Sequence, residues 1–265
     1  MTEPWLTVRR GEAPLLVSFP HTGLELPSDC AAGLVSAQRA RHDADWHIDR
    51  LYAFAHDLGA TIVHTALSRT VIDVNRDPSG ASLYTGQVTT GLVPTESFDG
   101  LPLYREGAAP TAQEIERRKE LYFAPYHAAL VQELARLRGL HKRVVLYDCH
   151  SIRSVIPRLF QRELPVFNIG TNEGKACGSG LAGRIAAIGA ASQWSHVLDG
   201  RFKGGWITRT HGRPRDGVHA VQMELAMRAY LRDEGEEPAW DADFATPIQQ
   251  TLRTMLETCL LYGRL

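Results

Sequence analysis

The chain has no apolar run approaching the roughly 20 residues that a membrane-crossing helix needs. Its start, Met1 to Pro14, has neither the apolar segment nor the cleavage site of a signal peptide. Cysteines are few: Cys30, Cys149, Cys177 and Cys259 lie far apart and form no CxxC pair. That argues against a disulfide framework or a four-cysteine zinc site, and the expectation is a reduced, cytoplasmic protein with no membrane segment. Neither charge dominates. Lys plus Arg number 29 against 30 Asp plus Glu, a net charge of −1, so the totals give no reason to expect nucleic acid or an anionic membrane as partner. There is no internal repeat, no low-complexity tract and no GxSxG elbow for a serine nucleophile. There is also no GxxxxGK[ST] loop and no GxGxxG after a strand.

What is present is 265 residues, 44% hydrophobic and 22% charged, enough for a sizeable core. No linker interrupts them, and one domain over residues 1–265 is expected. Apolar bursts alternate with helical patterns. Pro14 to Pro20, closed by its last proline, Thr61 to Ala66, Val144 to Asp148 and Val218 to Met223 read as strands, with Val71 to Val74 a further candidate. Asp45 to Leu58 reads as a helix ended by Gly59. Thr111 with Glu114 opens another that runs to about Arg138 with a break at Pro125. Leu181 to Ala190, Leu225 to Arg232 and Pro247 to Leu261 are helical. Asp77 to Pro110, rich in Gly, Pro, Ser and Thr, reads as a loop long enough to be functional. Alternating strands and helices predict an α/β fold on a mixed, largely parallel sheet, with ligands outside the carboxyl ends of the strands.

That rule draws attention to polar residues just after the apolar bursts. His21 and His150 both follow strands. A lone histidine there most often pairs with backbone, but two together point to a metal or acid/base site. A catalytic zinc site often takes two His and one carboxylate. Glu25, Asp43, Asp45 and Asp148 are all candidates, and spacing does not choose among them. Asp45 is also well placed as a helix N-cap. Arg69, Asn75 and Arg76 flank a short apolar stretch and are suited to gripping a carboxylate. Arg201 to Arg209 is a second basic, glycine-bearing segment able to line an anion pocket. Glu224 follows a strand and is a candidate general base, although a Glu at a helix start commonly complements the dipole. His211 and His219 flank the basic segment as possible pocket lining. Cys149 beside His150 does not make a nucleophile–base pair, because adjacent strand residues face opposite ways.

Eight stretches, in order along most of the chain, together resemble the N-formylglutamate amidohydrolase family. They are PHTG (20–23), DADWHIDRLY (43–52), SRTVIDVNR (68–76), TTGLVP (89–94), FDGLPLYREG (98–107), DCHSIRS (148–154), FNIGT (167–171) and the long GRFKGGWITRTHGRPRDGVHAVQMELA (200–226). The resemblance implies a three-layer α/β domain similar to zinc carboxypeptidases and aspartoacylase. It also implies metal-dependent hydrolysis of N-formyl-L-glutamate to formate and L-glutamate, the last step of a histidine degradation route. By the same resemblance His21 and His150 are metal ligands, Glu224 the base and Arg69 the oxyanion partner. Asn75 and Arg76 hold a substrate carboxylate, with Arg153 and Arg209 alongside. The wider group carries HxxE where this chain has Leu24 in place of the Glu, so Asp45, within the matching DADWH segment, is taken as the third ligand. The implied cofactor is one divalent metal, zinc first, with Co2+, Mn2+ or Fe2+ compatible with the same donors. Two alternatives are a hydrolase of another N-acyl amino acid and a non-catalytic carboxylate-binding protein on the same fold.

Overall fold

The computed structural model describes residues 4–83, 86 and 88–265. Seven strands form one sheet: β1 (Leu6–Arg9), β2 (Leu15–Phe19), β3 (Thr61–Thr65), β4 (Val144–Ile152), β5 (Phe167–Gly170), β6 (His196–Leu198) and β7 (Val218–Ala226). Their order is β1-β3-β2-β4-β7-β5-β6. β1/β3 and β5/β7 pair antiparallel and the other neighbours parallel, which is the expected mixed sheet. Every residue of β4 is buried, as expected of a central strand covered on both faces.

The helices are α1 (Ser28–Ala31), α2 (Ala37–Arg41), α3 (Ile48–Leu51), α4 (Ala112–Arg118), α5 (Ala124–Leu140), α6 (Ser179–Ala191), α7 (Trp206–His211) and α8 (Ala242–Arg264). Strand alternation sorts the core into two layers. Val145, Tyr147 and Cys149 of β4, with Val221, Met223 and Leu225 of β7, pack against α6 and α8. Leu146 and Ala220 face the other way, onto α5 and α7. This is the three-layer arrangement. Among the described residues no helix is long and apolar enough to cross a membrane.

Several local expectations are corrected. Leu225 to Arg232 is not a helix. β7 continues to Ala226, with Leu225 opposite Phe167 in β5, and only a 3-10 turn, Met227–Ala229, follows. Glu224 is therefore a strand residue, not a helix cap. Val71 to Val74 forms no strand; its apolar side chains are buried one by one from a turn. The Asp45 to Leu58 helix is broken. His47 adopts φ 58°, leaving one turn of α3 and a 3-10 turn at Ala53–Ala55, although Trp46, Ile48, Leu51, Tyr52 and Phe54 are buried as the spacing predicted. Thr111 caps α4 through the Glu114 N–H (3.2 Å). The break beyond it is a π turn, Lys119–Phe123, that ends just before Pro125. The described part of 77–110 carries isolated bridges instead of regular elements, pinned by buried Leu92, Val93, Phe98, Leu103 and Tyr104.

The segment after β2 lies against 66–68. Glu25 N donates to Ala66 O (2.8 Å) and Ser68 N to Glu25 O (2.9 Å). Gly23 permits that approach, since a Cβ there would sit 2.3 Å from the Ala66 carbonyl carbon. Gly23→Ala is expected to lower stability by about 1–3 kcal/mol. A denaturant midpoint equal to that of the wild type would contradict this close packing.

Candidate active site

The site grows from the face of the sheet that α5 and α7 cover. β4 and β7 run parallel in a register that sets Asp148 beside Gln222 and His150 beside Glu224. Residues two apart in a strand share a face, so all four project together. β2 ends at Phe19, and Pro20 and His21 carry the chain over the same strand ends. Asp45 N donates to His21 O (3.0 Å), which ties the 43–47 segment to that turn.

Three donor atoms meet there. His150 Nδ1 lies 3.1 Å from His21 Nδ1 and 3.0 Å from Asp45 Oδ2, and His21 Nδ1 lies 3.6 Å from the same oxygen. All three side chains are buried. The far nitrogen of each ring faces a carboxylate: His21 Nε2 to Asp73 Oδ1 at 2.8 Å and His150 Nε2 to Asp148 Oδ2 at 2.9 Å. A neutral ring that donates from Nε2 to its carboxylate keeps a lone pair on Nδ1. Two lone pairs and a carboxylate this close repel unless a proton or cation stands among them. The donors suit a cation: zinc bonds of about 2.0–2.1 Å set the edges of a tetrahedron at about 3.3 Å. The backing carboxylates are what metal-binding histidines ordinarily have.

The electrostatics agree. Burial opposes charge on Asp45, but His21 and His150 hold its carboxyl below the usual range. Asp73 is equally buried, and Arg76, His21 and Arg69 hold it well below that range. Burial pushes His150 down, but Asp148 and Asp45 more than reverse this and raise it well above an ordinary imidazole.

His21 and His150 open onto a small cleft. Glu224 lines it, and burial raises its carboxyl to about 7. Gln222 Nε2 donates to Glu224 Oε2 (3.0 Å). Arg69 lines it too, held by Asp73 Oδ2 (2.7 Å), with its Cζ 4.8 Å from the centre of the Phe98 ring. Asn75, Arg76, Arg201, Phe202 and Gln222 also line it. Asn75 Oδ1 accepts from Ile207 N (2.8 Å), and its Nδ2 is 3.0 Å from His150 Nε2.

Most of the residues singled out from sequence are gathered here: His21, Asp45, His150, Glu224, Arg69, Asn75 and Arg76. Two expected substrate arginines are not. Arg153 is bound by Asp99 (2.7 Å) and Asp43 (3.3 Å), and Arg209 Nε donates to Gly204 O (2.8 Å); neither lines the cleft. Of the basic segment it is Arg201 that does. Of the four candidate carboxylates, Asp45 has the oxygen that faces both Nδ1 atoms. Glu25 is exposed, Asp43 accepts from Phe98 N (2.7 Å), and Asp148 stands behind His150. His211 bonds His127 (3.0 Å) and His219 accepts from Gly178 N (3.0 Å), both away from the cleft. Asp73, Gln222 and Phe98 were not singled out. Stepping two residues back along each strand, from His150 to Asp148 and from Glu224 to Gln222, is the signal that finds the latter pair.

Fold and site together define an α/β protein with a buried His–Asp–His donor cluster beside an acid, the equipment of a hydrolase. The chain belongs to the N-formylglutamate amidohydrolase family, whose model matches residues 13–231. It is 48% identical over 260 residues to the N-formylglutamate deformylase of Pseudomonas aeruginosa, covering 98% of this chain and 97% of the relative. It is 47% identical over 259 residues to that of Pseudomonas putida, covering 97% and 96%. The crystal structure of N-formylglutamate amidohydrolase from Ralstonia eutropha JMP134 superposes with a TM-score of 0.81, at 26% identity and 98% coverage of both chains.

The raised carboxyl of Glu224 has a consequence for stability. A group whose pKa is higher folded than unfolded binds protons preferentially in the folded state. Its ionisation therefore costs stability as pH rises from about 4.5 through about 7. In chelator-treated protein, Glu224→Gln is expected to raise Tm over the wild type more at pH 8 than at pH 5. Equal differences at the two pH values would remove Glu224 as a strained buried acid.

Proposed function

We propose that this chain is a metal-dependent deformylase that hydrolyses N-formyl-L-glutamate to formate and L-glutamate. The observation that carries the reading is the convergence of His21 Nδ1, His150 Nδ1 and Asp45 Oδ2 beside Glu224, in a chain so similar along its length to relatives of that name. His21, Asp45 and His150 would hold one divalent cation, zinc first, with Co2+, Mn2+ or Fe2+ able to use the same donors. Such a cation supplies Lewis acidity toward a carbonyl oxygen and makes water a better nucleophile at neutral pH. Residues 1–265 would act as one catalytic unit, and four buried free cysteines suit a reducing compartment, the cytoplasm.

The chain's own residues divide the remaining work. Glu224, with a pKa near neutrality, takes the proton of the attacking water and returns it to the amine nitrogen as the C–N bond breaks. Arg69 donates to the carbonyl oxygen as negative charge develops there. Asp73 and the Phe98 ring fix it in advance, so no reorganisation is needed during reaction. Arg76 and Arg201 bring positive charge to the cleft lining, which suits a substrate with two carboxylates.

Purified protein is expected to release formate from N-formyl-L-glutamate, to stop with a chelator and to recover with added zinc or cobalt. Chelator-insensitive turnover would sink the metal. Turnover confined to other N-acyl amino acids would sink the substrate. His150→Ala is expected to lose metal and activity together. Glu224→Gln should keep the metal and lose about 100- to 10,000-fold in kcat. Metal analysis beside kinetics checks both, and metal loss in Glu224→Gln would overturn the base assignment.

A further inference from the structure

We propose that Gln222 is a positioning residue for Glu224: its carboxamide grips one carboxylate oxygen and so dictates which oxygen serves as the base. The inference rests on Glu224 being that base. Donor and acceptor accounting fixes the amide's orientation. Gly205 N–H can only donate, and it lies 2.7 Å from Gln222 Oε1. The amide nitrogen is therefore the atom 3.0 Å from Glu224 Oε2. Turning the amide over would set N–H against N–H and oxygen against carboxylate, losing both bonds. Asn75 closes the alternative from the other side. Its own orientation is fixed by Ile207 N on Oδ1, so its Nδ2 faces Gln222 Oε1 at 3.5 Å. Gln222 is buried, and little water competes for its amide.

The placement follows from the strand. Gln222 and Glu224 are two apart on β7 and share a face, so a side chain as long as Gln can reach forward to its neighbour. With Oε2 held, Oε1 is the oxygen left to receive the proton. The same amide accepts from Gly205, next to the segment that brings Arg201 and Phe202 to the cleft. Gln222 thus has two separable contacts, one to the base and one to the substrate-side segment.

Gln222→Glu separates them. The new carboxylate still accepts from Gly205 N–H but has no N–H for Glu224 and opposes its charge. We expect kcat to fall about tenfold or more with KM within about threefold, at full metal content and with a cooperative melt. Wild-type kcat in a folded Gln222→Glu would overturn the proposal and leave only an anchor for Gly205. So would a loss that added metal restores. Should Gln222→Glu not fold, Gln222→Met decides. A fall in kcat supports the proposal; a rise in KM with kcat intact overturns it. All variants are compared on whichever N-acyl amino acid the wild type hydrolyses. A wild type that hydrolyses none sinks the proposed function, and this role with it, before any variant is made.

Discussion

The parallel register between β4 and β7 is the constraint on which the site depends. Nine consecutive pairs run from Val144 beside Val218 to Ile152 beside Ala226. Each strand switches character partway. Leu146 and Ala220 are core, but Asp148, His150, Gln222 and Glu224 continue the same face as polar groups. A slip of one residue between them would turn one strand's polar pair, Asp148 with His150 or Gln222 with Glu224, into the apolar layer against α6 and α8 and bring Cys149 or Met223 to the site in its place. Such a slip would bury unpaired charge and empty the core at once. The core side chains on the opposite face therefore hold the register that the polar residues need.

Charge balance explains the other elements of the site. Asp45, Asp73, Asp148 and Glu224 are four acids in a dry interior, and Arg69 and Arg76 supply two positive charges among them. Burying carboxylates without compensation is costly. A divalent cation between His21, Asp45 and His150 would make up the difference. Without one, protons are favoured: Asp148 and Asp45 raise the pKa of His150 well above that of an ordinary imidazole, and burial raises the carboxyl of Glu224 to about 7. The two aspartates behind the histidines take different routes to the same geometry. Asp148 comes from the same strand as its partner. Asp73 comes from a turn and serves His21 and Arg69 together, one through each oxygen.

How much of this was legible in the sequence follows from which features are local. Strand cores announce themselves, because buried strands need unbroken apolar runs, and the residues after those runs held most of the site. Glu224 was found but misplaced at a helix start. The apolar pattern of Val218 to Met223 stops one residue short of Glu224, whereas β7 runs on because Leu225 still pairs with β5. The Asp45 helix failed for a local reason invisible to periodicity. His47 takes a left-handed conformation, so the apolar spacing served packing without a continuous helix. Asp73 lies inside SRTVIDVNR, but nothing local marks it, since its partner His21 is 52 residues away.

Arg153 shows the same limit and what replaces it. In DCHSIRS it follows His150 closely and carries the charge a dicarboxylate would want, yet Asp43 and Asp99 claim its guanidinium. Asp43 also accepts the Phe98 N–H, so the four residues form a clamp that sets the Phe98 ring against Arg69. Asp43 is two residues from Asp45. One short segment therefore anchors both the donor cluster and the aromatic wall of the cleft, and Arg69 lies beside both. The long irregular stretch from Asp77 to Pro110 acquires a purpose on the same grounds. It delivers Thr89, Thr90 and Phe98 to the cleft, as irregular segments held on a rigid scaffold commonly do for binding residues.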